Sequence, residues 1–268
     1  MRKDCAGRHT ARGSAVPGRT AAAPVRQWRR LSSTSTEPQT EAGIRRIGLF
    51  GGTFNPVHIG HLVLARDVCE HFGLDRLDFI LALLPPHKLR QSGELAPAEH
   101  RWAMLQRALR GEVRLRASRV ELDRGGTSYT IDTVRAYRAA FPQAELCLVI
   151  GADSLFELRT WRESARLAQL CRIIAVARPG WIGRAVTPEA VGFAPAVCAQ
   201  IERDLQTARS IDIQATEIRA RCGRGLSIRW LVPEPVDEYI AQVGIYRSGP
   251  DREPRESHGG ADEPSPTP

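Results

Sequence analysis

The sequence lacks both closely spaced cysteines and long apolar segments. Its six cysteines include no C-x-x-C pair, whereas zinc sites and disulfide frameworks usually space their cysteines closely. We therefore expect that the protein has no structural zinc site. We also expect its cysteines to be reduced thiols that pack as small apolar groups. The apolar runs that begin at Phe79 and Leu146 stop well short of the roughly 20 residues that cross a bilayer. These absences argue against a disulfide scaffold and a membrane-spanning protein, and they predict a soluble, cytoplasmic globule.

Lysine is almost missing, because Lys3 and Lys88 are the only two in 268 residues. Arginine therefore supplies most of the positive charge behind the formal net charge of +8. Residues 1–43 carry +5 and residues 248–268 carry −3, which leaves +6 for residues 44–247. A positive central region suits a phosphate-rich ligand such as a nucleotide or a nucleic acid. A solvated arginine-rich surface with no ligand explains the charge equally well.

Both ends of the chain have the composition of disordered segments. Residues 1–43 are rich in Arg, Ala, Ser, Thr, Gly and Pro without sustained helical periodicity, which predicts a disordered basic extension. The composition also resembles an organellar transit peptide, but glycines and prolines would interrupt an amphipathic helix. A dispensable extension and a start codon assigned too far upstream are the alternatives. Residues 248–268 predict a disordered tail, so the folded domain is expected to be 44–247.

Between these ends, short apolar runs alternate with segments whose apolar residues have helical spacing. Residues 44–50 predict a first strand and residues 58–72 a first helix. Further strands are predicted at 77–84, 113–122, 145–150 and 171–177, further helices at 98–109 and 129–141, and a mostly helical segment at 153–170. The alternation predicts an α/β fold with a doubly wound parallel sheet, which binds ligands at the carboxyl ends of its strands.

The stretch GGTFNPVHIGH, starting at Gly51, follows the first predicted strand and opens the first predicted helix. Gly51 and Gly52 let a ligand approach the backbone, and the helix N-terminus offers N–H groups and partial positive charge to a phosphate. His58 and His61 are three residues apart and therefore share one face of the helix, with Gly60 leaving space between them. Two imidazoles there can neutralise charge developing on a phosphate. A lone histidine near a helix start more often caps or packs, so the prediction depends on the whole string.

The string GGTFNPVHIGHL resembles the first motif of the nucleotidylyltransferase superfamily, and in particular that of the bacterial nicotinate-nucleotide adenylyltransferase family. The resemblance implies a Rossmann-like nucleotidylyltransferase fold with a C-terminal helical portion. It also implies ATP contacts from Thr53 and Phe54 beside the three glycines. The letters HIGH occur in class I aminoacyl-tRNA synthetases too, but those enzymes need a lysine-rich second signature. Two lysines cannot supply that signature.

A second phosphate motif is indicated by Ile213-Gln214-Ala215-Thr216-Glu217-Ile218-Arg219, which is similar to the family's I-S-x-T-x-I-R. The resemblance implies that Thr216 and Arg219 hold the β- and γ-phosphates of ATP. A hydroxyl and a charge-assisted guanidinium fork suit that role. Gln214 replaces the usual serine, so its own role is left open. An arginine on a helix is otherwise most often a solvated charge.

Three stretches resemble the family's acceptor site and a fourth its adenosine site. Ser128–Thr133 reads SYTIDT, Thr160–Arg162 reads TWR, and Pro85–Lys88 reads PPHK. They imply mononucleotide binding by Lys88, Tyr129, Thr130 and Trp161, with Trp161 stacked on the nicotinate ring and Arg101 holding the PPHK loop. Gly151-Ala152-Asp153 resembles the G-A-D segment, which implies that Gly151 and Asp153 contact adenosine. Each of these roles has a structural alternative. The SYTIDT residues could cap a helix, Asp153 could supply negative charge to the first turn of a helix, and Trp161 could simply pack in the core.

The resemblance covers about residues 44–247 and implies a reaction. AMP passes from MgATP to nicotinate mononucleotide by direct in-line attack, giving nicotinate adenine dinucleotide and pyrophosphate in NAD biosynthesis. Mg²⁺ arrives with ATP, and no protein metal ligand, membrane or nucleic-acid partner is expected; a homo-oligomer stays open.

The alternatives are another transferase of the superfamily, acting on a phosphopantetheine, FMN or cytidylyl acceptor, and a non-catalytic basic nucleic-acid-binding protein. The implied catalytic residues are His58, His61 and Arg219; the implied ATP contacts are Gly51, Gly52, Thr53, Phe54, Gly60, Gly151, Asp153 and Thr216.

Overall fold

Strands and helices alternate through the residues that the computed structural model describes, which are 43–84, 95–177, 184–207 and 211–247. The predicted extension, apart from Gly43, and the predicted tail lie outside these ranges. So does the PPHK loop with Lys88. Among the described helices, none combines the length and hydrophobicity that a membrane crossing requires.

A single parallel sheet runs through the described residues, with strand order β3-β2-β1-β4-β5-β6. The chain moves outward from β1 to β3 and then returns to the other side of β1, so β1 and β4 flank the topological switch point. This order confirms the predicted doubly wound sheet. The strands are β1 (Arg46–Gly52), β2 (Arg76–Leu81), β3 (Leu115–Ser118), β4 (Glu145–Gly151), β5 (Arg172–Ala177) and β6 (Gln206–Thr207).

Helices cover both faces of the sheet. The helices predicted at 58–72, 98–109 and 129–141 are each observed within one residue of those bounds, and the last two helices form the expected C-terminal helical portion. The helices are α1 (Ile59–His71), α2 (Ala98–Ala108), α3 (Val120–Arg124), α4 (Thr130–Ala140), α5 (Ala152–Glu157), α6 (Ser164–Leu170), α7 (Pro188–Val191), α8 (Pro195–Arg203), α9 (Ala215–Gly223) and α10 (Glu234–Val243).

The sheet separates two hydrophobic cores, and β4 contributes to both. Leu146 and Leu148 face the core under α4, α6 and α8, whereas Cys147 and Val149 face the core under α1, α2, α9 and α10. Successive side chains of a strand point to opposite faces. Because both faces are covered, the strand reads in sequence as one unbroken apolar run.

Two segments differ from their predicted structure. The predicted strand 113–122 forms β3 only from Leu115 to Ser118, and the helix α3 follows at Val120. Its pairing with β2 runs only from Leu115, opposite Leu77, to Ser118, opposite Ile80, and the chain then turns into α3. The segment 153–170, predicted to be mostly helical, contains two helices separated by a 3₁₀ turn at Leu158–Thr160, because Thr160 Oγ1 donates to the Glu157 carbonyl at 2.7 Å and Trp161 is extended.

Candidate active site

The loop between β1 and α1 folds back over the end of its own strand. Phe54 has a left-handed φ of 44°, a conformation that costs roughly 1–2 kcal/mol for a non-glycine residue. Its buried ring packs against Phe50 and Phe79, with centroids 5.7 and 5.3 Å apart, which offsets that cost. A Cβ at Gly52 would lie 2.9 Å from the Phe54 ring, whereas one at Gly51 would meet nothing within 4 Å. Gly52 therefore serves packing, and Gly51 borders open space.

The two histidines of the loop stack on each other, with ring centroids 3.6 Å apart. The His58 N–H donates to Nδ1 of His61 at 3.2 Å, and the His61 N–H donates to the His58 carbonyl at 2.9 Å. Because Nδ1 of His61 accepts a hydrogen bond, its neutral ring carries the proton on Nε2. A Cβ at Gly60 would lie 3.1 Å from His58 Nδ1, so only glycine leaves the His58 ring in place.

Arg219 reaches the same loop from α9, 164 residues further along the chain. Its Nη1 donates to the Asn55 carbonyl at 3.1 Å, and its Nη2 lies 3.5 Å from Thr216 Oγ1. Buried Ile218 anchors the helix in the core. Gln214 stands at the N-cap of α9 without a side-chain capping hydrogen bond, so the substitution for serine removes a cap rather than adding a contact to the loop.

The adenosine motif lies at the end of the neighbouring strand. Gly151 closes β4, which pairs with β1 through Phe50 and Val149. The carboxylate of exposed Asp153 folds over Gly151, so that its Oδ1 fills the space of a Cβ at that position. Gly151 is thus required by the position of Asp153.

Buried Arg101, which is 1% exposed, joins three segments around the loop. Its guanidinium donates to the carbonyls of Ala96, Thr53, Ala82 and Leu83, over distances from 2.7 to 3.3 Å. Burial lowers the pKa of this guanidinium. Arg101 therefore fixes the start of the histidine loop against the end of β2.

The SYTIDT segment is attached to the same end of β2. Ser128 Oγ accepts from the N–H groups of Leu83 and Leu84 at 3.0 and 3.4 Å, and its own N–H donates to the Leu84 carbonyl at 3.0 Å. A continuous path of contacts, through Leu83 and Arg101, thus connects Ser128 to Thr53. Thr130 begins α4.

The TWR segment contacts the SYTIDT segment. The Arg162 guanidinium lies 4.8 Å from the centre of the Tyr129 ring. Trp161 and Tyr129 are half-buried and pack against the same core. Glu163, with a left-handed φ of 52°, accepts two hydrogen bonds from Arg135 on α4 at 3.1 and 2.5 Å. This ion pair joins α4, which begins within the SYTIDT segment, to the turn that follows the TWR segment between α5 and α6.

Comparisons with known proteins identify the family. A profile of the cytidylyltransferase-like family matches residues 49–221. A probable nicotinate-nucleotide adenylyltransferase of Thermus thermophilus is 43% identical over 203 residues, which are 75% of this chain and 100% of that protein. The chain belongs to the nicotinate-nucleotide adenylyltransferase family. The membership predicted from the motifs is confirmed.

A further adenylyltransferase relative and a solved structure agree with this family membership. A probable nicotinate-nucleotide adenylyltransferase of Rubrobacter xylanophilus is 37% identical over 205 residues, covering 76% of this chain and 92% of that protein. Among solved structures, the Plasmodium falciparum nicotinic acid mononucleotide adenylyltransferase complexed with NaAD has a TM-score of 0.59 at 14% identity, over 75% of this chain and 97% of that one. This likeness supports the adenylyltransferase fold.

Within the described residues, the adenylyltransferase motifs meet at the carboxyl ends of β2, β1 and β4. The structure brings His58, His61 and Arg219 to one loop, and attaches the SYTIDT segment to the same edge of the sheet. Sequence patterns assign no role to two residues there, Asn55 and Tyr246. The Tyr246 hydroxyl donates to Asn55 Oδ1 at 2.7 Å. Only the contact between them reveals either one.

Proposed function

We propose that residues 44–247 transfer AMP from ATP to nicotinate mononucleotide, giving nicotinate adenine dinucleotide and pyrophosphate. The observation that carries the proposal is the hydrogen bond from Arg219 to the Asn55 carbonyl. Because of it, a cation from the second phosphate motif lies beside the loop that contains both histidines. The named activity of the bacterial relatives supports the same reaction.

His61 is the residue that we assign to the α-phosphate. Its Nδ1 accepts the His58 N–H, so its neutral ring carries the proton on Nε2, and this N–H can donate to a phosphate oxygen. The phosphate of a mononucleotide is already a nucleophile at neutral pH and needs no general base. Catalysis then consists of in-line positioning and neutralisation of the charge that develops on the transferred phosphoryl group.

The triphosphate is expected to lie over the start of α1. The space beside Gly51 is open, and the helix N-terminus favours an anion. Arg219 and Thr216 are assigned to the departing pyrophosphate, since a guanidinium forms charge-assisted hydrogen bonds with phosphate oxygens. Gly52, Thr53, Phe54 and Gly60 shape the same loop, and Gly151 and Asp153 are assigned to the adenosine.

Mg²⁺ enters this scheme as part of the MgATP substrate. Among the described residues, no group of three or more His, Cys, Asp or Glu side chains is placed to hold a metal ion. The histidines and arginine of the loop suit phosphate oxygens, and Mg²⁺ readily binds phosphate oxygens and water together. We therefore assign its ligands to ATP and solvent.

The acceptor site is proposed at the SYTIDT and TWR segments. Trp161 is half-buried and packs against the same hydrophobic core as Tyr129, and a flat aromatic side chain suits a pyridine ring. Tyr129 and Thr130 are assigned to the same mononucleotide. Lys88 keeps its assignment to the mononucleotide from the sequence alone.

Acceptor profiling tests the function. The purified chain is mixed with MgATP and one of nicotinate mononucleotide, nicotinamide mononucleotide, phosphopantetheine or FMN, and pyrophosphate release is measured. We expect the highest kcat/KM with nicotinate mononucleotide. Faster release with phosphopantetheine or FMN would assign a different acceptor. No release with any acceptor, together with salt-sensitive RNA binding, would favour the non-catalytic nucleic-acid-binding alternative.

A further inference from the structure

Tyr246 lies beyond the last helix, yet its hydroxyl reaches the histidine loop. It follows α10 and has a left-handed φ of 68°, a conformation that is rare for a bulky residue. The hydroxyl donates to Asn55 Oδ1 at 2.7 Å, across 191 residues of sequence. Burial raises the pKa of this hydroxyl, against the opposing effect of Arg219 and Arg101 nearby. The group is thus a protonated donor throughout the neutral range.

Asn55 collects hydrogen bonds from three parts of the chain. Its side-chain oxygen accepts from Tyr246 and from the Ala96 N–H at 3.1 Å, just before α2. Its main-chain carbonyl accepts from Arg219 at 3.1 Å. The residue is 5% exposed, so its orientation depends on these protein donors. Asn55 precedes His58 by three residues and cannot turn without moving the loop.

We propose that Tyr246 is a positioning residue for Arg219, acting through Asn55. Its hydroxyl and the Ala96 N–H fix the Asn55 side chain, and this fixes the direction of the carbonyl that holds the Arg219 guanidinium. Without the hydroxyl, Asn55 Oδ1 loses this donor while it keeps the Ala96 N–H, and Arg219 is held less accurately. A displacement of a cation by a fraction of an ångström is enough to weaken its contact with developing charge. The inference rests on the assignment of Arg219 to the pyrophosphate.

The chain contains a matched control for this hydroxyl. Tyr239, on α10, pairs through its OH with His100 Nδ1 on α2 at 2.8 Å. Tyr239→Phe and Tyr246→Phe each remove one hydrogen bond between the C-terminal region and the rest of the domain. Only the second hydrogen bond leads to the histidine loop.

The test compares both variants in the full chain by steady-state kinetics and thermal melting. We expect both to lower the melting temperature by about 2–4 °C, as for a loss of one hydrogen bond. Tyr246→Phe should also lower kcat/KM for ATP by roughly five- to tenfold, with the KM for nicotinate mononucleotide within about twofold of wild type. Tyr239→Phe should leave both kinetic constants within about twofold. Equal kinetics in the two variants would overturn the proposal.

Arg219→Ala separates this inference from the proposed function. If Tyr246 acts through Arg219, then Tyr246→Phe causes no further loss of kcat/KM in the Arg219→Ala background. An undiminished five- to tenfold loss in that background would contradict the link through Arg219. If Arg219→Ala alone kept near-normal turnover, the assignment of Arg219 would fail instead. A folded Tyr246→Phe protein is established by its melting curve; if it does not fold, the Ala96→Pro variant removes the other donor to Asn55 and should give the same ATP-specific loss.

Discussion

The two stacked imidazoles differ in their surroundings, and this difference separates their roles. His58 is 3% exposed and lies against Gly60, whereas His61 is partly exposed and contacts the Phe54 ring edge to face at 5.2 Å. His58 holds Nδ1 of His61 with its own N–H. We therefore expect His61 to be the imidazole that faces the ligand and His58 to fix the geometry behind it.

His61→Ala tests this separation. We expect kcat to fall by about 10²–10³-fold, as for loss of a preorganised donor to developing negative charge, while the melting curve stays close to wild type. Pyrophosphate release under saturating MgATP measures the effect. His71→Ala, at the exposed end of the same helix, serves as the control. Near-normal turnover of His61→Ala would remove that residue from the mechanism.

One added methyl group should have different effects at the neighbouring glycines Gly51 and Gly52. At Gly52 it should lower the stability of the fold, and at Gly51 it should weaken ATP binding. Gly52→Ala places a Cβ 2.9 Å from the Phe54 ring, and such overpacking costs about 1–3 kcal/mol of unfolding free energy. In Gly51→Ala the added Cβ meets no protein atom within 4 Å, so the stability of this variant should stay unchanged. The KM for ATP should rise about tenfold, because the methyl group blocks the approach of the phosphate. Urea unfolding and ATP titrations of both variants measure these effects. A stability loss in Gly51→Ala would show that the open space serves packing.

At the residue scale, sequence patterns predicted the partners of the phosphate motifs but not what connects them. Thr216 and Arg219 were expected at the loop because their spacing matches a known motif, and Arg219 does contact Asn55. The positions of Asn55 and Tyr246 could not be predicted in this way. Their hydrogen bond joins residues 191 positions apart, and a single contact of that kind leaves no local periodicity.

Among the elements, the break between α5 and α6 determines where Trp161 lies. The Thr160 hydroxyl donates to the Glu157 carbonyl and Glu163 is left-handed, so Trp161 lies in an extended segment between the two helices. The neighbouring Arg162 guanidinium lies over the Tyr129 ring. Helical spacing predicted a mostly helical segment here but not the place of the break, because the apolar positions on both sides of the break still match. β3 is shorter than predicted because the chain turns into α3 at Val120, although the alternation of residues continues.

Trp161→Ala tests the acceptor site that this break creates. Stacking of an aromatic side chain on a base contributes about 1–3 kcal/mol, so the KM for nicotinate mononucleotide should rise about tenfold or more. The KM for ATP should change much less. Trp161→Phe keeps an aromatic face and should recover most of the loss. Equal increases for both substrates would indicate a packing role for Trp161 instead.

Across the whole molecule, Arg101 connects β2, the histidine loop and the start of α2 from inside the domain. The resemblance implied that Arg101 holds the PPHK loop, which lies outside the described residues, and it did not predict the four carbonyl acceptors. They belong to main-chain groups at the ends of three different elements. Which carbonyl groups accept these hydrogen bonds depends on how the three elements pack, and sequence patterns do not show this.

Arg101→Met should destabilise the whole domain. It leaves four carbonyls without their buried donor, and we expect a loss of about 3 kcal/mol of unfolding free energy, measured by urea denaturation. Arg101→Lys should recover only part of this loss, because an ammonium group lacks the planar fork of a guanidinium. Equal stability of Arg101→Met and wild type would mean that solvent satisfies these carbonyls.

The hydrogen bonds of Asn55 also bear on the order in which the domain folds. Its partners Arg219 and Tyr246 lie 164 and 191 residues away, whereas β1, β2 and β3 pair with neighbours much nearer in the chain. Loops of that length close late, since their entropy cost is recovered only after shorter contacts exist. We therefore expect a nascent chain to hold a recognisable half-sheet well before it can bind a triphosphate.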